Sequence, residues 1–266
     1  MEQGADINKE SSHRETPLFE ACDKGYEKIV EYLVENGAGI NKQSVDDNSP
    51  LFIEIINKNK NIVEYLVEHG ADIDIQSNDG WTPLFIAFET KNEPLVKYLV
   101  EHGANTNKQS IDGRNPLCIA FDNNNDDLVK CLVEHGADVN EKFKNGISPL
   151  FNACSNGNES LVKYLVEHGA DVDKEINDGD TPIFIACNKG YKNIVKILVE
   201  HGANINKEDS SGKIPLFKAC WSGNKNLVKY LVELGLDINK QDNYGDTPLS
   251  EVCNKGHENI VKILVE

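Results

Sequence analysis

Histidine is the residue type that most often ligates metals or transfers protons, and five histidines of this chain recur at one constant step in the sequence. Each follows an apolar stretch with helical spacing, so neighbouring histidines are expected to lie one helix pair apart, roughly 10 Å. Ligands of one zinc ion all lie within about 2.1 Å of it, so the spacing argues against a metal site. Placed at helix ends, the side chains are expected to meet the negative end of the helix dipole and to make stability mildly dependent on pH. The five are His69, His102, His135, His168 and His201.

Cysteine is the second candidate for chemistry, and five of the seven cysteines also fall on one position of this step. An odd number with this spacing predicts buried, reduced thiols in an intracellular, cytoplasmic protein and not a disulfide framework. No phosphate-binding glycine loop and no nucleophile elbow occur. We therefore predict no catalytic residue, no cofactor, no metal and no enzyme activity. The five cysteines are Cys22, Cys154, Cys187, Cys220 and Cys253.

The elements that position these residues belong to an internal repeat. The stretch Thr16-Pro17-Leu18-Phe19 and the glycine Gly37 both recur at the same step as the histidines, without an insertion. A strict period of this length indicates one supersecondary unit that buries its apolar face against its neighbours. The prolines of the repeated stretch are Pro17, Pro50, Pro83, Pro116, Pro149, Pro182, Pro215 and Pro248.

Within each repeat the local signals predict two helices. A hydroxyl residue before proline is a helix start, so a first helix is expected over about 17–24, ended by Gly25. Apolar residues at helical spacing predict a second helix over about 27–36, ended by Gly37. Eight repeats then give sixteen helices. Asp79-Gly80 and Asn145-Gly146 predict tight turns in the polar loops between repeats.

The repeat length and the motifs TPLF and GADIN resemble those of the ankyrin repeat, whose pattern is Thr-Pro-Leu-His-x-Ala in a unit of about 33 residues. The resemblance covers the whole chain. It implies an all-α solenoid of stacked helix-turn-helix units with hairpin loops, a single array over residues 1–266. Residues 1–8 are expected to be the tail of a preceding repeat, and the last repeat lacks the usual His-Gly-Ala, so we expect a fragment of a longer array or one trimmed at repeat boundaries. The repeats are expected to start near residues 13, 46, 79, 112, 145, 178, 211 and 244.

Three repeats depart from the pattern together. The first helix is followed by Lys58, Lys91 or Asn124 where the other five repeats have glycine. A non-glycine residue in a left-handed conformation costs about 1 kcal/mol, so these repeats are expected to end the helix differently or to accept strain. Glu54 replaces the alanine of six other repeats, and we expect it to turn to solvent or to mark a local departure. In repeat seven, Ile214 removes the capping hydroxyl.

Net charge restricts the partner. The chain has a net charge of −17 and a pI of about 4.8. This charge argues against nucleic acids and anionic membranes as partners and favours a partner protein with a basic patch. No apolar run approaches the roughly 20 residues that span a bilayer. The resemblance implies a protein-interaction scaffold, and we expect a monomer. The alternative is a structural or elastic spacer within a longer array, with no dedicated binding site.

The position before the Thr-Pro pair is the most varied of the repeat, as expected for a residue that faces solvent. The resemblance implies that these loop tips and the first helices form a concave binding face, where large aromatic and charged side chains anchor partners. The candidate binding residues are Trp81, Arg114, Phe143, Ile147, Lys213, Lys218, Trp221 and Tyr244.

The last residue of the GADIN stretch, such as Asn41, is expected to fix the loop through bonds from its side chain to the backbone. The resemblance also implies that such asparagines can be hydroxylated. A role as a modification substrate is therefore a minor alternative.

Overall fold

The computed structural model describes residues 4–143 and 146–266, and in these ranges the chain forms sixteen α-helices and no strand. The helices follow each other as eight pairs, a short first helix and a second one after a tight break. The prediction for the first pair is confirmed to within a residue at each end. The helices are α1 Pro17–Asp23, α2 Glu27–Glu35, α3 Pro50–Ile56, α4 Lys60–Glu68, α5 Pro83–Glu89, α6 Glu93–Glu101, α7 Pro116–Asp122, α8 Asp126–Glu134, α9 Pro149–Asn156, α10 Glu159–Glu167, α11 Pro182–Asn188, α12 Lys192–Glu200, α13 Pro215–Ser222, α14 Lys225–Glu233, α15 Pro248–Lys255 and α16 Glu258–Val265.

The first helix of each pair begins at proline because proline needs no partner for an amide hydrogen at that position. In six pairs the residue before the proline caps the helix with its side chain. The Thr16 hydroxyl, for example, accepts a hydrogen bond from the Phe19 amide at 3.2 Å. Ile214 makes no such bond because its side chain has no hydrogen-bonding group, and Thr181 makes none either. A missing cap costs about 1 kcal/mol.

The core is built from the buried faces of both helices. In α6, Leu95, Val96, Leu99 and Val100 are all buried, the pattern expected of an amphipathic helix covered by neighbours. Two compact units are present, Met1–Ala137 and Asp138–Glu266. In the first, α1, α3, α5 and α7 pack in sequence, and in the second α9, α11, α13 and α15 do so. That the whole chain is a single array stays a prediction.

The loops between pairs are closed by backbone hydrogen bonds without forming strands. The Ser77 amide donates to the Trp81 carbonyl at 3.0 Å, and Gly80 has a φ of 76°, which confirms the turn predicted at Asp79-Gly80. Asn145, of the second predicted turn, lies outside the described residues. No helix of the described ranges has the length and apolar character needed to cross a bilayer.

The loop asparagines act between repeats. Asn41 donates to the Gly70 carbonyl at 3.3 Å and accepts from the Asp72 amide at 2.8 Å. Where aspartate takes this position, as Asp74 does, it still accepts from the next loop, at 2.8 Å from the Asn105 amide. The prediction that this residue fixes the loop is confirmed, and the backbone that it holds is that of the following repeat.

Candidate interaction site

The loop turn before each first helix is closed by the residue four positions before the variable tip residue, which is itself the residue before the Thr-Pro pair. In the first unit this residue is serine, and the Ser77 hydroxyl accepts from the Trp81 amide at 3.2 Å. In the last two loops it is aspartate: Asp209 Oδ1 accepts from the Lys213 amide at 2.9 Å, and Asp242 Oδ1 accepts from the Asp246 amide at 2.9 Å. A carboxylate has a second oxygen, so each aspartate closes its turn and still presents Oδ2 to its surroundings.

These second oxygens face two lysines. Lys218 Nζ lies 3.2 Å from Asp209 Oδ2 and 3.7 Å from Asp180 Oδ1. Lys213 Nζ lies 3.6 Å from Asp242 Oδ2 and 3.4 Å from Glu251 Oε2. Two ammonium groups therefore lie among four carboxylates. The arrangement leaves an excess of negative charge at this place in the second unit.

Three of the four acidic groups of this network, Asp209, Asp242 and Glu251, are more deeply buried than the two lysines. The side chain of Asp242 is fully buried, and its Oδ2 has no hydrogen bond in the described part of the chain. Burial raises the pKa of Asp180, and the Lys218 ammonium opposes that rise. Charged pairs that are largely removed from water interact more strongly than pairs on an open surface.

Three residues of the network, Lys213, Lys218 and Glu251, line a groove of about 290 Å³ beside an exposed tryptophan. Trp221, on α13, is 49% exposed, and Lys255 Nζ lies 2.9 Å from the centroid of its ring. Lys213 Nζ also lies 5.7 Å from the centroid of the buried Phe217 ring. The groove is lined by Asn188, Lys213, Phe217, Lys218, Trp221 and Glu251.

The groove contains three of the predicted binding residues, Lys213, Lys218 and Trp221. The three other candidates of the second unit, Phe143, Ile147 and Tyr244, lie elsewhere in the loops. Tyr244 is 82% exposed but does not line the groove. The Phe143 amide donates to the Ile147 carbonyl at 2.8 Å, and both side chains are half-buried.

The two candidates of the first unit lie on adjacent loop tips. Trp81 is 36% exposed, with its ring 6.5 Å from the buried ring of Phe85. Arg114 is paired with Asp122, at 3.3 Å, and more distantly with Glu89, at 3.9 Å. Both side chains are partly exposed, and each also makes contacts within its own unit.

The sequence prediction missed the carboxylates of the charge network and the lysine on the tryptophan ring. Asp209, Asp242 and Glu251 were not selected, nor was Lys255. One signal was available: Glu251 occupies the repeat position of Lys218, which is isoleucine in four repeats. The spatial meeting of residues from three repeats has no counterpart in a single repeat.

The histidines cap the second helices. Nδ1 of each of the five lies 2.7–2.8 Å from the carbonyl oxygen four residues earlier, and three rings lie 3.9 Å from the tyrosine at that position. Across residues 4–143 and 146–266, no group of three or more possible ligands is close enough to hold a metal ion. The predicted pH dependence stays a prediction.

The cysteines are free thiols. Four of the five at the shared position are buried, and burial raises the pKa of each; that of Cys220 rises to about 12. The prediction is wrong for Cys253, which is exposed. It lies on α15, which among the described first helices packs against α13 alone.

Comparison with known families gives one result over the whole length. A family model described as "Ankyrin repeats (3 copies)" matches residues 1–77, 51–143, 117–209, 150–242 and 206–266. A search of curated proteins gave no match.

Proposed function

The chain belongs to the ankyrin-repeat family, and from that premise we propose that it is a non-enzymatic scaffold that binds a partner protein through its loop tips and first helices. Members of this family are generally protein interaction modules. The observation that carries the proposal is the groove beside Trp221, where an exposed tryptophan adjoins a partly buried network of charges. Tryptophan is one of the residues enriched at the energetic centres of interfaces.

Charge supports a partner with a basic surface. Unit Met1–Ala137 contains 25 Asp and Glu against 12 Lys and Arg, and unit Asp138–Glu266 contains 19 against 15. Both units are therefore acidic. Such a field accelerates association with basic proteins and repels nucleic acids and anionic membranes. We further propose a cytoplasmic location, because the seven cysteines are free thiols, and a monomeric state.

The second candidate function is a spacer within a longer array. The observation that favours it is the constant, unbroken step of the repeat from Pro17 to Pro248. A spacer needs only uniform stacking between neighbours, and a surface without a dedicated site fulfils that role.

Affinity capture from cell lysate separates the two functions. A Trp81→Ala/Trp221→Ala double variant is compared with the wild type and with Tyr32→Ala, which removes an exposed aromatic ring from the second helix α2. All three are checked for the same helical signal by circular dichroism. We expect a protein that the wild type and Tyr32→Ala retain and the double variant loses. Capture of nothing above background favours the spacer, whereas equal capture by all three would mean that the binding surface lies away from the two tryptophans.

A further inference from the structure

We propose that the groove beside Trp221 accepts an arginine side chain from an extended, basic segment of the partner, and that Lys255 covers the indole ring until that arginine replaces it. The inference rests on the proposed binding function and names the chemistry of the partner. It follows from the net charge of the network beside the groove and from the cation that lies on the tryptophan ring.

The groove favours a cation. Lys213 and Lys218 line it, but each is already paired with two carboxylates within 3.7 Å. An anionic ligand would have to compete with these carboxylates for the ammonium groups and would remain close to them. The four carboxylates outnumber the two ammonium groups, so the network as a whole attracts a cationic ligand, which meets Glu251 in the groove itself.

The tryptophan face already holds a cation. Lys255 extends from the end of α15 and places its Nζ 2.9 Å from the centroid of the Trp221 ring. Lys255 is exposed, and in the described part of the chain no ion pair holds its ammonium group. A long, exposed lysine is easily displaced because it loses rotamer freedom when it stays on the ring. The contact shows which charge this face attracts.

Arginine fits the site better than lysine. Its planar guanidinium stacks on an indole ring and donates in a fork to a carboxylate, whereas an ammonium group acts as a compact point charge. Trp221 supplies the flat surface and Glu251 supplies a carboxylate in the same groove. An extended segment is expected because the groove is open, about 290 Å³ in volume and bordered by loop tips.

The location is tested in a Trp81→Phe background, where Trp221 is the only tryptophan and its fluorescence reports on the groove alone. The probe is an acetylated and amidated hexapeptide, Gly-Ser-Arg-Arg-Ser-Gly. Matched peptides carry lysine or glutamine in place of both arginines. We expect a saturable change in Trp221 emission with the arginine peptide, a dissociation constant several-fold weaker with the lysine peptide, and no saturable change with the glutamine peptide.

Specificity is tested by fluorescence anisotropy of the arginine peptide carrying fluorescein. Glu251→Gln and Trp221→Ala are each expected to weaken binding at least fivefold. Lys255→Met is expected to tighten it two- to fivefold, because it removes the competing cation. Glu233→Gln makes the same change of charge as Glu251→Gln on the exposed surface of α14 and is expected to leave the affinity unchanged.

The proposal is overturned if the arginine peptide gives no saturable signal up to millimolar concentration. Equal weakening by Glu251→Gln and Glu233→Gln also overturns it, since binding would then reflect net charge alone. Loss of a captured protein in the Trp81→Ala/Trp221→Ala variant, without arginine-peptide binding, would refute this pocket and leave the proposed scaffold function standing. Peptide binding with no captured protein would support the pocket and count against the scaffold.

Discussion

At the scale of single residues, Glu54 is the clearest departure from the repeat. The sequence left open whether it turns to solvent, and that alternative is wrong: the side chain is fully buried on α3. Its Oε2 accepts from the Asn59 side-chain amide at 2.7 Å, and its Oε1 has no hydrogen bond in the described ranges. In pairs three and four, the corresponding Asn92 and Asn125 cap the second helix. Asn59 makes no cap bond, so Glu54 deprives α4 of its cap.

The buried carboxyl makes stability depend on pH. Burial raises the pKa of Glu54 from 4.5 to about 7; hydrogen bonds from Asn59 and Cys22 oppose the rise, and the nearby Asp23 adds to it. The folded chain therefore binds the proton more tightly than the unfolded chain. The contribution to stability is fully present below about pH 4.5 and is lost as pH rises through about 7.

We predict that Glu54→Gln stabilises the protein at pH 8 and has a smaller effect at pH 5. The variant stays neutral at both values, whereas the wild type must bury a charge at pH 8. The difference in unfolding free energy at pH 8 should be at least about 1 kcal/mol, since one pKa unit corresponds to about 1.4 kcal/mol. Urea unfolding at the two pH values measures it.

Glu68→Gln, which removes an exposed carboxylate from α4, serves as the control and should change stability equally at both pH values. Glu54→Ala tests the residue found in six other repeats. If wild type and Glu54→Gln differ by the same amount at pH 5 and pH 8, the carboxyl does not titrate in this range and the account is wrong.

At the scale of helices, every first helix is followed by a residue in the left-handed conformation. Five pairs use glycine, and three use Lys58, Lys91 and Asn124, with φ values of 60°, 53° and 51°. Of the two alternatives in the sequence prediction, these repeats accept strain and keep the same break. Asparagine tolerates this conformation better than lysine does, so the strain is greatest at the two lysines.

We predict that Lys58→Gly and Lys91→Gly each raise the free energy of unfolding by about 0.5–1 kcal/mol, because glycine removes the strain at positive φ and offsets its own entropic cost. The reverse change is made at Gly256, where an added Cβ would meet no atom within 4 Å, so only backbone strain acts. Gly256→Lys should lower stability by about 1 kcal/mol. Denaturant unfolding measures all three.

The helix pairs could be predicted from sequence because their signals are local. A Thr-Pro pair and a glycine fix the start and end of each helix within one repeat, and the apolar spacing fixes its buried face. The burial of Glu54 could not be predicted in this way, because it depends on how α3 packs against α1. Only the tryptophan and the lysines of the groove and its charge network could be predicted, because the other residues depend on packing between repeats. Its tryptophan and lysines stand out within their repeats, whereas Asp180, Asp209 and Glu251 acquire their role only where three repeats meet.

At the scale of the whole molecule, stability depends on how many neighbours each helix pair has. In α6 four apolar side chains are buried, whereas in α2 only Val30 is, and Ile29 is 49% exposed. In α16 only Ile260 and Leu264 are buried, fewer than in α10. In a repeat protein each pair is stabilised by its own folding and by contacts with adjacent pairs. The least covered pairs should therefore open most often.

We predict a gradient of amide hydrogen exchange within each unit under native conditions. Amides of α2 should exchange at least tenfold faster than those of α6, and amides of α16 at least tenfold faster than those of α10, because local opening exposes less apolar surface where less is buried. Mass spectrometry of peptic fragments measures the exchange. If the amides of α2 and α6 were equally protected from exchange, unit Met1–Ala137 would open only as a whole. Stacking between neighbouring pairs would then outweigh the difference in burial between the two helices. Because the Trp221 groove is lined by residues of α11, α13, α15 and one loop, fast exchange confined to α16 would leave the groove intact. Fast exchange extending into α15 would release Glu251 and Lys255 together.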